Sequence, residues 1–242
     1  GFGVGLGAAL TGLPAEVFVE LAHAAVGLGL LQRVSLAERP DGAWRVHPIL
    51  AQRLRERAAS GTARQAVKAW LIGRFADRSW DELDAERAAL TEWLPKVPEA
   101  ELLEVVAAGE AYALERGPYA SWLDVFERAV ALVSTPSAHH AALLGTMGRL
   151  AWRGGAEARG IDYVRRRLTE ELACKDDEAA AETAGLLADM HERRGELDQA
   201  LAVRRESELA IYERLGRAWD RAITIGQIAD VLERQGAFAE AL

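Results

Sequence analysis

The sequence predicts a mainly α-helical chain: a small N-terminal module with one β-hairpin, then a solenoid of stacked helical hairpins. Three observations predict it. Residues 187–201 (LADMHERRGELDQAL) return 41 positions later as residues 228–242 (IADVLERQGAFAEAL). Self-similarity at such a period marks helical hairpins that bury their apolar faces only by stacking. Glycines at 117, 155, 195 and 236 recur between segments whose apolar residues have helical spacing. Near the start, the β-like runs 30–37 and 43–46 flank Arg39-Pro40-Asp41-Gly42, which carries the residues of a turn.

Taken in order, the opening GFGVGLG lacks the GK[ST] ending of a phosphate-binding loop and the G-x-G-x-x-G spacing. It reads as a loose segment or as small-residue helix packing. Residues 14–27 read as a helix: Pro14 suits the first turn, and Val17, Phe18, Leu21, Ala24 and Ala25 form an apolar stripe. The hairpin follows. Pro48 then starts another helix, with Ile49, Leu50 and Leu54 inward and Arg53, Arg55 and Arg57 outward. Ser60-Gly61-Thr62 reads as a domain boundary. From there the spacing predicts helices over about 62–77, 80–94, 98–115, 119–132, 136–153, 157–173, 178–193, 197–215, 218–235 and from 237 onward.

Composition narrows the function. Half of the 242 residues are hydrophobic, enough for one large or two ordinary cores. The net charge of −8 disfavours general binding of nucleic acid, which needs a basic face. Cys174 is the single cysteine, so no intrachain disulfide framework is available and a reducing compartment, the cytoplasm, is expected. No apolar run reaches the roughly 18 residues of a membrane span, and no basic region opens a signal peptide. The start without Met and the stop at Leu242 read as a piece of a longer protein.

Within the repeat, equivalent slots hold Leu187, Ala188, Gly195, Leu197 and Ala200, then Ile228, Ala229, Gly236, Phe238 and Ala241. Earlier copies are fainter: Gly155 is followed by Gly160 in the small-residue slot, and Gly117 by Trp122. Glycine supplies the left-handed turn, and the small residue lets two helices approach closely. These residues resemble the tetratricopeptide repeat, most strongly over 179–242, less over 136–178 and weakly over 62–135. The period exceeds the family's usual ~34 residues, so longer helices are expected, as in repeats attached to bacterial signalling ATPases. The resemblance implies a protein or peptide ligand held in a groove lined by the first helix of each hairpin. By register that face holds Gly145, Arg149, Trp152 and Arg153; then Gly185, Asp189, Glu192 and Arg193; then Gly226, Asp230, Glu233 and Arg234. The glycines would leave room for the ligand, the charges would hydrogen-bond it, and Trp152 would anchor it. The plainer reading of these charges is a solvated helix face.

The segment from Leu30-Leu31-Gln32-Arg33 to Val46-His47-Pro48 resembles the winged-helix module of STAND-class NB-ARC ATPases. In that family a histidine of an MHD-type motif senses the β-phosphate of ADP, and His47 is its counterpart here. Pro48 stands where the family has Asp. The resemblance implies the parent's nucleotide-binding domain as a partner, with ADP or ATP held there and no cofactor in this piece. A simpler role for His47 is to cap the helix starting at Pro48. The winged-helix shape also reads DNA, which gives an alternative: a transcriptional regulator with a DNA-contacting winged helix. Against it, the helix before the hairpin carries Glu16 and Glu20 and no Lys or Arg.

Nothing in the sequence supports catalysis. His139 and His140 are adjacent and so diverge on a helix, and His191 and Cys174 lack partners at metal-ligand spacing. No G-x-S-x-G or H-E-x-x-H is present. The acidic pairs Glu170-Glu171 and Asp176-Asp177 read as solvated helix-end charges. The expected organisation is a winged-helix-like module (1–60), a helical bridge (61–135) and tetratricopeptide-like hairpins (136–242). The expected role is non-catalytic protein binding in signal transduction.

Overall fold

The first helix forms within the glycine-rich opening, from Val4 onward. The computed structural model describes residues 2–36, 39–46 and 61–237. The chain divides into two compact units, Gly1–Val125 and Phe126–Leu242. It is mainly helical, with one small antiparallel sheet.

In the first unit, α1 (Val4–Thr11) stops at Gly12, whose left-handed φ of 70° lets its N–H reach Ala8. Pro14 leads into α2 (Ala15–Gly27). Phe18 and Ala22 of α2 are buried with Trp44, and the Phe18 ring stands edge-on to Trp44 at 5.6 Å. A side chain at Gly7 would overlap the Phe18 ring, so the opening is a case of small-residue helix packing. Strands β1 (Leu31–Leu36) and β2 (Arg39–Val46) pair antiparallel, from Leu31 opposite Val46 to Leu36 opposite Arg39. The Phe2 N–H and C=O both bond Trp44 at 3.0 Å, which extends the ladder. The expected turn at Arg39–Gly42 is corrected: these residues belong to β2. Between the pairs Val34–Ala43 and Leu36–Arg39, β2 carries two more residues than β1, so Pro40-Asp41-Gly42 form an irregularity inside the strand. Pro48 and its expected helix, together with His47, lie outside the described residues.

Helix α3 (Gly61–Ala76) follows. The single helix expected over 80–94 is instead two, α4 (Trp80–Ala85) and α5 (Arg87–Trp93), with a 3₁₀ turn at Leu94–Lys96. The break is at Glu86, a buried residue whose carboxylate accepts the Gly3 N–H at 2.6 Å. Then come α6 (Glu99–Arg116) and α7 (Tyr119–Val130). Phe75, Tyr112 and Trp122 form the aromatic centre of this unit, with ring centroids 5.8 and 5.7 Å apart. Trp122 stands where other copies of the repeat have a small residue. The facing α6 compensates with Gly109, where a Cβ would overlap the indole. Tyr112 donates to Asp84 at 2.9 Å, and burial, helped by Asp84, pushes its phenol well above the ordinary value.

In the second unit, α8 (Ala138–Arg153) is capped by Ser137, whose hydroxyl accepts the His140 N–H at 3.1 Å. Next come α9 (Glu157–Ala173) and α10 (Asp177–Arg193), the latter capped by Asp176 at 3.2 Å from the Ala179 N–H. α11 (Leu197–Val203) passes through a π-helical stretch (Arg204–Leu209) into α12 (Ala210–Leu215), and α13 (Ala218–Gln235) follows. Each helix packs chiefly on its neighbours in the chain. Gly155, Gly195 and Gly236 end α8, α10 and α13 with φ of 79°, 76° and 79°, the conformation that the repeat needs at these turns. The α8 and α9 backbones approach closely: a Cβ on Gly160 would lie 3.0 Å from the Gly148 carbonyl. One core gathers Ile161, Val164, Ala184, Leu187 and Ile211, and a second gathers Leu201, Ile228, Val231 and Leu232. Phe238, Ala241 and the helix expected from 237 onward fall outside the described residues, apart from Ala237.

Candidate interaction surface

The first helices of successive hairpins bring the repeated charges side by side. Arg217, just before α13, reaches Glu178 at the start of α10 at 3.3 Å. Arg234, at the end of α13, reaches Glu192 at the end of α10 at 2.9 Å. Start meets start and end meets end, so the two helices run alongside in the same direction. Their equivalent faces, Gly185/Asp189/Glu192/Arg193 and Gly226/Asp230/Glu233/Arg234, are therefore neighbours.

The centre of this region is a residue that the periodic pattern did not single out. Arg204, in the π-helical stretch, is 2% exposed. Its Nε and Nη2 donate to Glu192 Oε1 at 3.0 and 2.7 Å, and Nη2 also donates to Asp189 at 2.5 Å. Its Nη1 donates to Glu208 and to the Gln227 side-chain oxygen, both at 2.9 Å. All five N–H donors of the guanidinium are thus engaged. The Thr224 hydroxyl completes the cluster by donating to Glu208 at 3.1 Å. Three helical segments meet there: α10, the π-helical stretch and α13. Burial works against the Arg204 charge, yet Glu192, Glu208 and Asp189 outweigh it and hold the guanidinium above its ordinary value. Burial likewise pushes the Glu208 carboxyl up, and Arg204 and Thr224 oppose that without cancelling it.

This arrangement changes the role of several expected groove residues. Asp189 and Glu192 are half-buried and bound by Arg204, so they lock helices together before they meet any ligand. The glycines do not stand open for a ligand at two of three places. A Cβ at Gly145 would meet Arg167 at 2.8 Å, and one at Gly185 would meet Glu208 at 3.1 Å. The space belongs to a long side chain of the hairpin's second helix. Trp152 is half-buried and packs on the core that contains Ile161 and Met190, so packing takes much of the ring expected to be an anchor. Arg149 is exposed, and its guanidinium lies 3.3 Å from the Thr146 hydroxyl. Arg153, Arg193, Asp230, Glu233 and Arg234 are also exposed. His47 cannot be placed with them, lying outside the described residues.

A signal for Arg204 and Glu208 was present in the sequence. Leu201, Arg204, Glu208, Ile211 and Leu215 continue one inward stripe at steps of three and four, so an opposite-charge pair sits where apolar residues belong. The same signal marks Glu171, buried after Leu168 and bound by Arg167 at 2.6 Å. The other acidic pair is structural as well: Asp176 caps α10, and Asp177 accepts from Arg214 Nε at 2.9 Å and Nη2 at 2.6 Å.

The buried carboxyl gives a pH prediction. A carboxyl raised in the folded state contributes stability that is full below its unfolded value and is lost as pH rises through its folded value. The stability of the wild type relative to Glu208→Gln should therefore fall as pH is raised from about 4 to about 7. Urea titrations of both proteins across that range check this; a difference that stays flat or grows with pH contradicts it.

Among the described residues, no group of three or more His, Cys, Asp or Glu side chains is placed to hold a metal ion. No single described helix is long and apolar enough to cross a membrane. Compared with known proteins, the chain matches no protein-family model and no curated protein sequence.

Proposed function

We propose that this chain is a non-catalytic, protein-binding regulatory segment, with tetratricopeptide-like hairpins that hold a protein or peptide trigger. The observation that carries the proposal is the parallel alignment of α10 and α13, fixed by Arg217–Glu178 and Arg234–Glu192. It sets equivalent faces of successive hairpins side by side and leaves Arg193, Asp230 and Glu233 exposed on them. In this role the segment belongs to a STAND-like signalling ATPase of the cytoplasm, with a winged-helix-like module at its N-terminal end. ADP or ATP would be held by the parent's nucleotide-binding domain, with His47 as the sensor. The trigger acts by binding one state of the parent better than the other, which shifts a closed-to-open equilibrium.

Selection from a library of displayed random dodecapeptides tests the binding role. We expect enrichment of peptides whose affinity falls at least about tenfold in Arg193→Ala/Asp230→Ala, a loss of about 1.4 kcal/mol. Trp152→Ala should weaken binding less than this pair, because its ring is partly committed to the core. No enrichment, or enriched peptides indifferent to Arg193 and Asp230, contradicts the assignment.

A further inference from the structure

Equivalent slots on α8 and α10 are covered by side chains of opposite charge. A Cβ at Gly145 would meet Arg167 Nη1 at 2.8 Å, and one at Gly185 would meet Glu208 Oε1 at 3.1 Å. One turn further along, the slot holds Arg149 on α8 and Asp189 on α10. The helices α8, α9 and α10, which build the Gly145 slot, lie wholly among the described residues. The two covering side chains differ in what they have left to offer. Glu208 is engaged by Arg204 and Thr224. Arg167 donates through Nε to Glu171 at 2.6 Å, and its Nη1 and Nη2 have no hydrogen-bond or ion-pair partner among the described residues. The outer end of a half-buried guanidinium is therefore open, and that end holds a carboxylate through two parallel bonds. The hydroxyl beside it is open as well: Thr183, in the place of Thr224, is buried with no partner among the described residues. The later cluster closes on itself, and the earlier one does not.

The charges around Gly145 leave Arg167 positive. Helix α8 contains no Asp or Glu, and Arg149 and Arg153 are exposed along its face. On α9, Glu171 is held by Arg167, and Glu170 accepts the Ser137 N–H and faces His140. On α10, Glu178 meets Arg217, Asp189 and Glu192 meet Arg204, and the exposed Glu182 and Arg193 carry opposite charges.

Resting on the docking role proposed above, we infer that Arg167 receives an Asp or Glu side chain of the partner polypeptide through its paired Nη1 and Nη2 donors. Gly145 admits the guanidinium to the groove side of α8. The same slot of the next hairpin rejects an acid, because Glu208 and Asp189 occupy it. The partner segment therefore carries an acidic residue over the first hairpin, and an amide or basic residue there loses the contact.

A double-mutant cycle between the chain and its peptides tests this. Peptides enriched from displayed random dodecapeptides are remade with a fluorescein label and a C-terminal amide. Their binding to the whole chain is read by fluorescence polarisation. Each Asp or Glu of a peptide is replaced in turn by Asn or Gln. We expect one replacement to cost at least about tenfold in affinity for the wild type. The same replacement should cost less than about twofold in Arg167→Gln/Glu171→Gln. That variant removes both partners of the ion pair together, so no buried carboxylate is left unpaired, and a thermal melt checks its folding. Arg167→Lys keeps the charge without the fork and should retain only part of the effect. Should the double variant fail to fold, Arg167→Lys decides: an effect as large as in the wild type overturns the inference. In Arg193→Ala the same acid should keep its full effect, which separates the two arginines. The inference is also overturned if no acid of an enriched peptide couples to Arg167, or if the coupling belongs to Arg193. In those cases the bound peptides leave the docking role standing and only this partner chemistry falls. If no peptide is enriched, both fall.

Discussion

Arg204→Met should destabilise the second unit by about 3–5 kcal/mol, the usual cost of removing one member of a buried ion-pair network. Loss of the guanidinium strips Glu208 of its only cationic partner among the described residues, leaving Thr224 alone to hydrogen-bond it. Glu192 keeps Arg234, and Asp189 can turn to water because its side chain is 49% exposed. Most of the loss should thus trace to Glu208. That makes the second variant decisive: Arg204→Met/Glu208→Leu should recover most of the stability, since a buried ion pair replaced by apolar residues of similar size is often neutral or stabilising. Urea unfolding followed by far-ultraviolet circular dichroism measures both. A single-variant loss under about 1 kcal/mol, or a double variant no better than the single, would contradict a buried and fully engaged Arg204.

The second large effect is a sign reversal for one substitution at two glycines. Alanine in a helix interior is favoured over glycine by about 0.5–1 kcal/mol. At Gly226 nothing among the described residues lies within 4 Å of an added Cβ, so Gly226→Ala should stabilise by about that amount. At Gly109 the added Cβ would overlap the Trp122 indole, itself fully buried. Gly109→Ala must displace that ring, and overpacking of this kind costs about 1–3 kcal/mol. Thermal melts of the two variants give the comparison. Equal shifts of the same sign would mean that the α6–α7 hairpin does not use Gly109 to seat Trp122.

These glycines also show how far the sequence was legible. Helix positions from 99 to 235 followed from apolar spacing and glycine punctuation, because both reflect local backbone needs that each residue states for itself. The left-handed turns at Gly155, Gly195 and Gly236 are of this kind. The division at Glu86 was not legible, since it depends on a buried bond to Gly3, 83 residues away. The strand irregularity at Pro40-Asp41-Gly42 was missed because turn-forming residues serve equally well at a bulge. In the candidate surface, register alone placed Asp189, Glu192, Asp230 and Glu233 on equivalent faces. It could not show that Arg204, a side chain on another helix, binds the first two; only packing reveals that. The partial burial of Trp152 was hidden for the same reason: an aromatic at a groove position reads identically whether it faces solvent or leans on the core.

The central claim is that equivalent faces of α10 and α13 form one docking surface for a polypeptide. Photo-crosslinking tests it most directly. A benzoylphenylalanine is placed singly at Arg193 and Asp230 on the first helices of the hairpins, and at Arg165 and Arg205, exposed on the second helices. With a library-selected peptide, adducts should form from Arg193 and Asp230 and be absent from Arg165 and Arg205. Adducts from Arg165 or Arg205 that equal or exceed those from Arg193 and Asp230 would place the ligand elsewhere and contradict the claim.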